Sequence, residues 1–290
     1  MSEPVLSRGT SDSWDSTDVL NPSVVLREGR FYNLYSGFDG ETWHTGLAES
    51  GDGLEWKKKG RVLTPDPQSW EGSYIAANGS AILHEGEWLY WYQSGPRERV
   101  SIGLARSPTG VHWQKGTGPV LTVGPRGSFD ETAVADPYAI RVGEFFYMYY
   151  LGQDRARRQR LGVARSKDGI HWEKFRGNPV LDLGEHDAFD EIGLGEPALW
   201  SSHGWYWMLY TGRDSREWRR MGLARSADGI TWERRPLVIE GSRPWDKQVV
   251  CDPSVILSEG RVRVWFGGGN KPSPDENLNG QIGFGELIAE

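Results

Sequence analysis

The chain has 290 residues, enough for two average domains or one large all-β domain. Glycine (38) and proline (16) are in excess, tryptophan (15) outnumbers tyrosine (11) and phenylalanine (9), and a hydrophobic share of 37% with 25% charged residues excludes a disordered chain. A net charge of −7 argues against a nucleic-acid surface, and no run approaches the roughly eighteen apolar residues of a membrane helix. The single cysteine, Cys251, excludes a disulfide framework or a cysteine zinc site and fits a reducing, cytoplasmic setting.

In chain order, the elements fall into five repeated units. Each opens on an aromatic followed by an acid: Trp14-Asp15, Trp70-Glu71, Phe129-Asp130, Phe189-Asp190 and Trp245-Asp246, spaced by 56, 59, 60 and 56 residues. Four units then carry a Gly-Leu/Val-Ala segment ending in serine, beginning at Gly46, Gly103, Gly162 and Gly222. A glycine turn follows and leads into Trp56, Trp113, Trp172 and Trp232. In the third unit the predicted strands are 136–142, 145–150, 161–166 and an outer strand from His171, with the apolar run 145–150 buried on both faces. Four short strands per unit, repeated radially, predict an all-β, five-bladed β-propeller in one domain. The blades are expected at 10–65, 66–124, 125–184, 185–241 and 242–290. The fifth unit lacks an outer strand, so residues 3–8 are expected to supply it and close the ring. First residues that belong to the fold leave no place for a signal peptide.

The recurring Asp-Gly turns and tryptophans read as structural punctuation. Chemistry is expected where the repeat diverges, at the mouths of the inner strands: Asn21, Asn78, Asp136, Glu196 and Asp252. Three carboxylates crowding one side of a narrow ring would raise at least one pKa and provide both an acid and a base. The competing reading, a backbone cap at each blade entry, suits Asn and Asp but suits Glu196 poorly.

Loops on the same face differ from blade to blade. They bring Trp43 and His44, then Arg97 and Arg99, then Arg155, Arg157, Arg158 and Arg160, then Arg213, Arg216, Trp218, Arg219 and Arg220. Tryptophan faces suit sugar rings, and guanidinium forks suit carboxylate, sulfate or phosphate. The alternative is a self-paired surface, as in Asp154 with Arg155 or Asp214 with Arg213. Asp15 is a further candidate through its place before an inner strand. His186 lies on this face as well, a weak signal alone. No phosphate loop, Cys/His metal spacing or Gly-x-Ser-x-Gly elbow is present, so no cofactor or metal is expected; a hard cation among the channel carboxylates is compatible with the sequence but nothing specific points to it.

Asp-Pro at an inner strand, an aromatic-rich second strand (Tyr147-Met148-Tyr149-Tyr150) and Ala-Arg-Ser-x-Asp-Gly-x-x-Trp together resemble the five-bladed propeller glycoside hydrolases. These are families 43 and 32 with the related family 130 phosphorylases, and the resemblance spans essentially the whole chain. It implies a glycan substrate, general-acid chemistry at Glu196 and a pKa-modulating role for Asp136. The family 43 base falls at Asn21, which cannot accept a proton from water. Asp252 is then the candidate base or nucleophile, with Asp15 and Asp18 behind it. Asn21, Asn78, Trp43, His44, Asp15, Arg97, Arg155, Arg213 and Trp218 are the expected substrate contacts. The substrate includes an anionic glycan among its candidates. Phosphorolysis with phosphate held by loop arginines, and a non-catalytic sugar-binding propeller, are the alternatives.

Overall fold

A computed structural model describes residues 3–288, and every regular element among them is a β-strand. The first antiparallel meander is β1 (Asp18–Arg27), β2 (Arg30–Phe38), β3 (Trp43–Ser50) and β4 (Lys57–Leu63). The second is β5 (Ala76–His84), β6 (Glu87–Ser94), β7 (Ser101–Ser107) and β8 (Gln114–Lys115). The third is β9 (Ala133–Val142), β10 (Phe145–Gln153), β11 (Gln159–Ser166) and β12 (Glu173–Lys174). The fourth is β13 (Gly193–Ser202), β14 (Trp205–Arg213), β15 (Arg219–Ser226) and β16 (Glu233–Ile239). The fifth has β17 (Val249–Ser258), β18 (Arg261–Gly269) and β19 (Gln281–Ile288). The leading strands β1, β5, β9, β13 and β17 pack against one another in turn, and β17 returns to β1. That closed circuit is a propeller.

The ring closes where the fifth unit lacks its outer strand. Leu6 bridges Ile282 antiparallel, with Val5 and Leu6 N–H groups donating to the Ile282 carbonyl at 2.8 and 3.2 Å and Ile282 N–H donating back at 2.9 Å. The expected strand over 3–8 is therefore a single bridge, and Leu6 is buried by it. The third outer strand begins at Glu173, two residues beyond His171. The Trp172 indole N–H is tied to the Gly169 carbonyl at 3.0 Å, which keeps the chain in its turn until that point.

Composition explains the blade interiors. In four blades the aromatic of the aromatic-acid pair lies over glycines on the second and third strands, and Trp70 lies over Gly103 of the third alone; a Cβ at Gly37 or Gly46 would sit 2.3 or 2.4 Å from the Trp14 ring. The acid beside it is buried and accepts the hydroxyl of a second-strand tyrosine. Tyr35 donates to Asp15 at 3.1 Å, Tyr92 to Glu71 at 2.5 Å, Tyr150 to Asp130 at 3.1 Å and Tyr210 to Asp190 at 3.1 Å. A cation from the fourth strand completes each corner: Lys58, Lys115, Lys174 or Arg234. In the fifth blade, with no fourth strand, Asp246 pairs with Arg243 and phenylalanine (Phe266) replaces the tyrosine. On the outer turns, Ser50 Oγ accepts the N–H groups of Asp52 and Gly53, and the Gly53 carbonyl takes indole N–H groups from both Trp56 and Trp265 of the neighbouring blade. These turns join adjacent blades.

Candidate active site

The five inner-strand residues share one backbone conformation. Asn21, Asn78, Asp136, Glu196 and Asp252 have φ of 47, 47, 47, 50 and 53°, in the left-handed region that non-glycine residues rarely occupy. At each of them the inner-strand ladder shifts register, as between Leu20 and Ser23 or Cys251 and Ser254. A bulge of this kind re-aims a side chain and stores strain where a site needs geometry. Proline follows four of the five and glycine the other.

The bulged residues hold one another. Asn21 N–H donates to Asp252 Oδ2 at 3.2 Å, and Asp252 N–H donates to Glu196 Oε2 at 3.3 Å and to Thr211 Oγ1 at 3.1 Å. Ser36 Oγ accepts from Asn78 N–H and donates to Asn78 Oδ1, both at 2.9 Å. Above the ring lies a cavity of about 490 Å³, and below it a void of about 40 Å³ lined by the same five residues and their prolines. The ring is thus the constriction of the channel and the floor of the larger cavity.

Three carboxyls stand on one side of that floor. Glu196 and Asp252 each have a carboxylate oxygen within 4.8 Å of the other and of the Cys251 sulfur. Burial, then the Glu196 charge, pushes the Asp136 carboxyl well above the usual carboxylate range, and the same two causes raise Asp252. Arg219 is the countercharge. Burial alone would lower its guanidinium, but Cys251, Glu196 and Asp252 around it hold it above its ordinary value. Its Nη2 also donates to the Ser273 and Pro274 carbonyls at 3.0 and 2.6 Å.

Those carbonyls belong to a loop of the fifth blade, 270–280, that crosses the cavity mouth. It is tied to the fourth blade through Arg213 Nη1 on the Pro274 carbonyl (3.0 Å) and Arg219. Toward the second blade, Tyr74 donates to Glu276 Oε2 at 3.1 Å, Arg97 pairs with Glu276, and the Arg97 guanidinium lies over the Tyr74 ring. Asp18 fixes its return by accepting from the Asn277 and Gly280 N–H groups at 2.6 and 2.7 Å.

Most of the residues expected from sequence line this cavity: Asn21, Asn78, Asp136, Glu196, Asp252, Trp43, Arg97, Arg155 and Arg213. Three do not. Asp15 serves the first-blade corner, where it takes Lys58 at 2.5 Å along with Tyr35 and Ser13. His44 sits on the opposite side of β3 from Trp43, packed edge-on to Trp14 with Nε2 3.3 Å from Asp39 Oδ2, and burial lowers its pKa. Trp218 is sandwiched between Arg216 and Arg220 on the outer side of its loop. The arginine pairing also differs: Asp154 holds Arg158 and Arg160, and Asp214 holds Arg216 and Arg220. Thr211, Cys251 and Tyr74 join the site without a sequence signal, whereas Arg219 stood among the loop arginines and is the one that reaches the floor.

This propeller fold is shared with solved glycoside hydrolases. The family model described as Glycosyl hydrolases family 32 N-terminal domain matches residues 30–186, and the chain belongs to that family. A Mycobacterium tuberculosis relative, the uncharacterized protein Rv1502, is 29% identical over 229 residues, covering 73% of this chain and 75% of its own length. Among solved structures, a glycoside hydrolase superposes with a TM-score of 0.79 at 19% identity, covering 97% of this chain and 90% of the other. A thermostable family-43 glycoside hydrolase gives 0.73 at 17% identity, covering 94% and 90%. Likeness at this level speaks for the fold.

Proposed function

We propose that the chain cleaves a glycosidic bond of an oligo- or polysaccharide, with Glu196, Asp252 and Asp136 as its chemical groups. The observation that carries this reading is the Glu196–Asp252 pair, a half-buried and a buried carboxyl in reach of each other beside Arg219, at the floor of a cavity sized for a sugar. Two like charges so close favour one shared proton, and burial with the Glu196 charge raises the Asp252 carboxyl above the usual carboxylate range. When the shared proton sits on Glu196 it passes to the leaving oxygen, while Asp252, then the carboxylate of the pair, faces the anomeric carbon, and a water supplies the hydroxyl that completes hydrolysis. An inverting pair stands roughly 6.5–9.5 Å apart to hold a water, whereas a retaining pair stands at about 5–5.5 Å. The anomeric configuration of the released sugar, read by NMR, decides whether Asp252 acts as nucleophile or as base. Asp136 serves to orient Glu196.

Glu196→Gln tests the assignment. Turnover on aryl glycosides and oligosaccharides should fall by about a thousandfold or more, while calorimetric binding of the same sugar persists. Full activity in that variant would reject the role. Asn21, standing where a family 43 base would be, favours one second reading, a sugar-binding propeller without turnover. Binding of a glycan that the wild-type protein never cleaves would support it.

A further inference from the structure

The loops after β10 and β14 are built on one scaffold and differ at the positions that face the cavity. In both, an aspartate organises the loop: Asp154 Oδ1 accepts the N–H groups of Ala156 and Arg158, and Asp214 Oδ1 those of Arg216 and Trp218. Its other oxygen binds an arginine six residues on, Arg160 at 2.7 Å or Arg220 at 3.2 Å. Both loops even share a left-handed residue with φ of 62°, Arg157 in one and Glu217 in the other. Around this common frame the third blade carries Gln153, Arg157 and Gln159, and the fourth carries Arg213, Glu217 and Arg219. Arg157 and Arg213 both line the cavity.

Their partners set them apart from the other loop arginines. Arg158, Arg160, Arg216 and Arg220 are consumed by the two scaffold aspartates. Arg219 is spent on the floor carboxyls and two carbonyls. Arg157 has no carboxylate within 4 Å among the described residues. Arg213 meets Glu217 at 3.3 Å, yet its Nε is buried without a hydrogen-bond partner. Burial, then the charge of Arg219 beside it, works against the Arg213 cation. On that edge lies Gly193, where even a Cβ would come within 3.3 Å of Arg213 Nε.

Two cavity-lining guanidiniums, one with no carboxylate within 4 Å among the described residues and the other with a buried Nε left unpartnered, define a place for an anion. Resting on the glycosidase reading above, we propose that Arg157 and Arg213 receive an oxyanion that the substrate itself carries, the carboxylate of an acidic sugar. A guanidinium matches a carboxylate through two parallel N–H groups, and a ligand charge would relieve the repulsion between Arg213 and Arg219. The sugar carboxylate would then lie against the third and fourth blades while the glycosidic oxygen lies over Glu196.

The test compares 4-nitrophenyl hexuronides with the matched neutral hexosides, and free hexuronic acids with the matched hexoses by calorimetry, each with and without inorganic phosphate. The expected result is at least tenfold preference for the acidic member of a pair. Arg157→Gln should raise KM for the hexuronide fivefold or more, with kcat and the neutral hexoside little changed, and Arg213→Gln, which also frees the Pro274 carbonyl, should lower the hexuronide-to-hexoside ratio of kcat/KM by at least as much. Arg157 lies in a solvent-facing loop, so its variant guards against a folding defect in the other. Neutral sugars preferred, or both variants indifferent to charge, would overturn the inference while leaving the Glu196 assignment standing. A strict need for phosphate, lost in the same variants, would also overturn it by placing free phosphate where the sugar carboxylate is proposed. Tight hexuronate binding without any cleavage would uphold this inference and sink the glycosidase reading.

Discussion

Two sets of five residues recur around this propeller, and they have diverged in opposite ways. At the outer corners the side chains repeat: an aromatic over glycines, and a buried acid that in four blades is shared by a tyrosine and a fourth-strand cation. At the channel constriction the backbone repeats, with φ between 47 and 53° at every blade, while the side chains run Asn, Asn, Asp, Glu, Asp. The corner needs the same chemistry everywhere because its task, anchoring a blade, is the same everywhere. The ring keeps the same presentation with different groups, as the proposed reaction at one asymmetric centre would require. A strained residue kept at all five positions gives the fold five sockets, of which three hold carboxyls.

This contrast can be broken by substitution. The largest expected effect is kinetic: Glu196→Gln removes about three orders of magnitude of turnover with a stability change of less than about 1 kcal/mol, read by denaturant melts beside initial rates. The converse is Asp130→Ala in a corner. It strands the Tyr150 hydroxyl and the Lys174 ammonium, and should cost about 3 kcal/mol in a urea titration while kcat per folded molecule stays within about twofold. Should Asp130→Ala abolish kcat in folded protein, the division between corner and ring fails. At the closure, Leu6→Ala should cost about 2–3 kcal/mol by the same titration.

The smallest effect is a slope. Asp136 and Asp252 have folded pKa values above their unfolded ones, so the native state keeps protons that the unfolded chain releases. Their contribution to stability is complete below the ordinary carboxylate range, about pH 4, and is lost as pH rises through the folded values. Asp252→Asn should therefore flatten the fall of unfolding free energy with rising pH, and end turnover. An unchanged slope would show that Asp252 is not held in its protonated form.

The fold was legible because its punctuation is local. A glycine under each aromatic and a serine before each outer turn recur at blade spacing, and neither depends on distant residues. The ring was legible for a related reason, since Asx or Glu before proline or glycine marks each bulge. What escaped the sequence comes from convergence or from facing. Arg219 and Thr211 reach the floor from strand ends of the fourth blade, and Tyr74 and Glu276 meet across 202 positions. Asp15 was drawn toward the site although its recurrence in all five corners argued against this. Trp43 and His44 are neighbours on one strand, so alternation sends one toward the cavity and the other away. Trp218 is turned outward by the Asp214 scaffold, which shows only once the backbone bonds are seen.

The Leu6–Ile282 bridge has a consequence for folding kinetics. Each meander is built from contacts between neighbours in sequence, whereas this bridge joins residues at nearly opposite ends of the described chain. Contacts of that separation form late, after the loop-closure entropy has been met by everything between them. Loss of the Leu6 side chain should accordingly quicken unfolding and leave the refolding rate almost untouched. The propeller would behave kinetically as a coil of five finished modules whose last event is the latch.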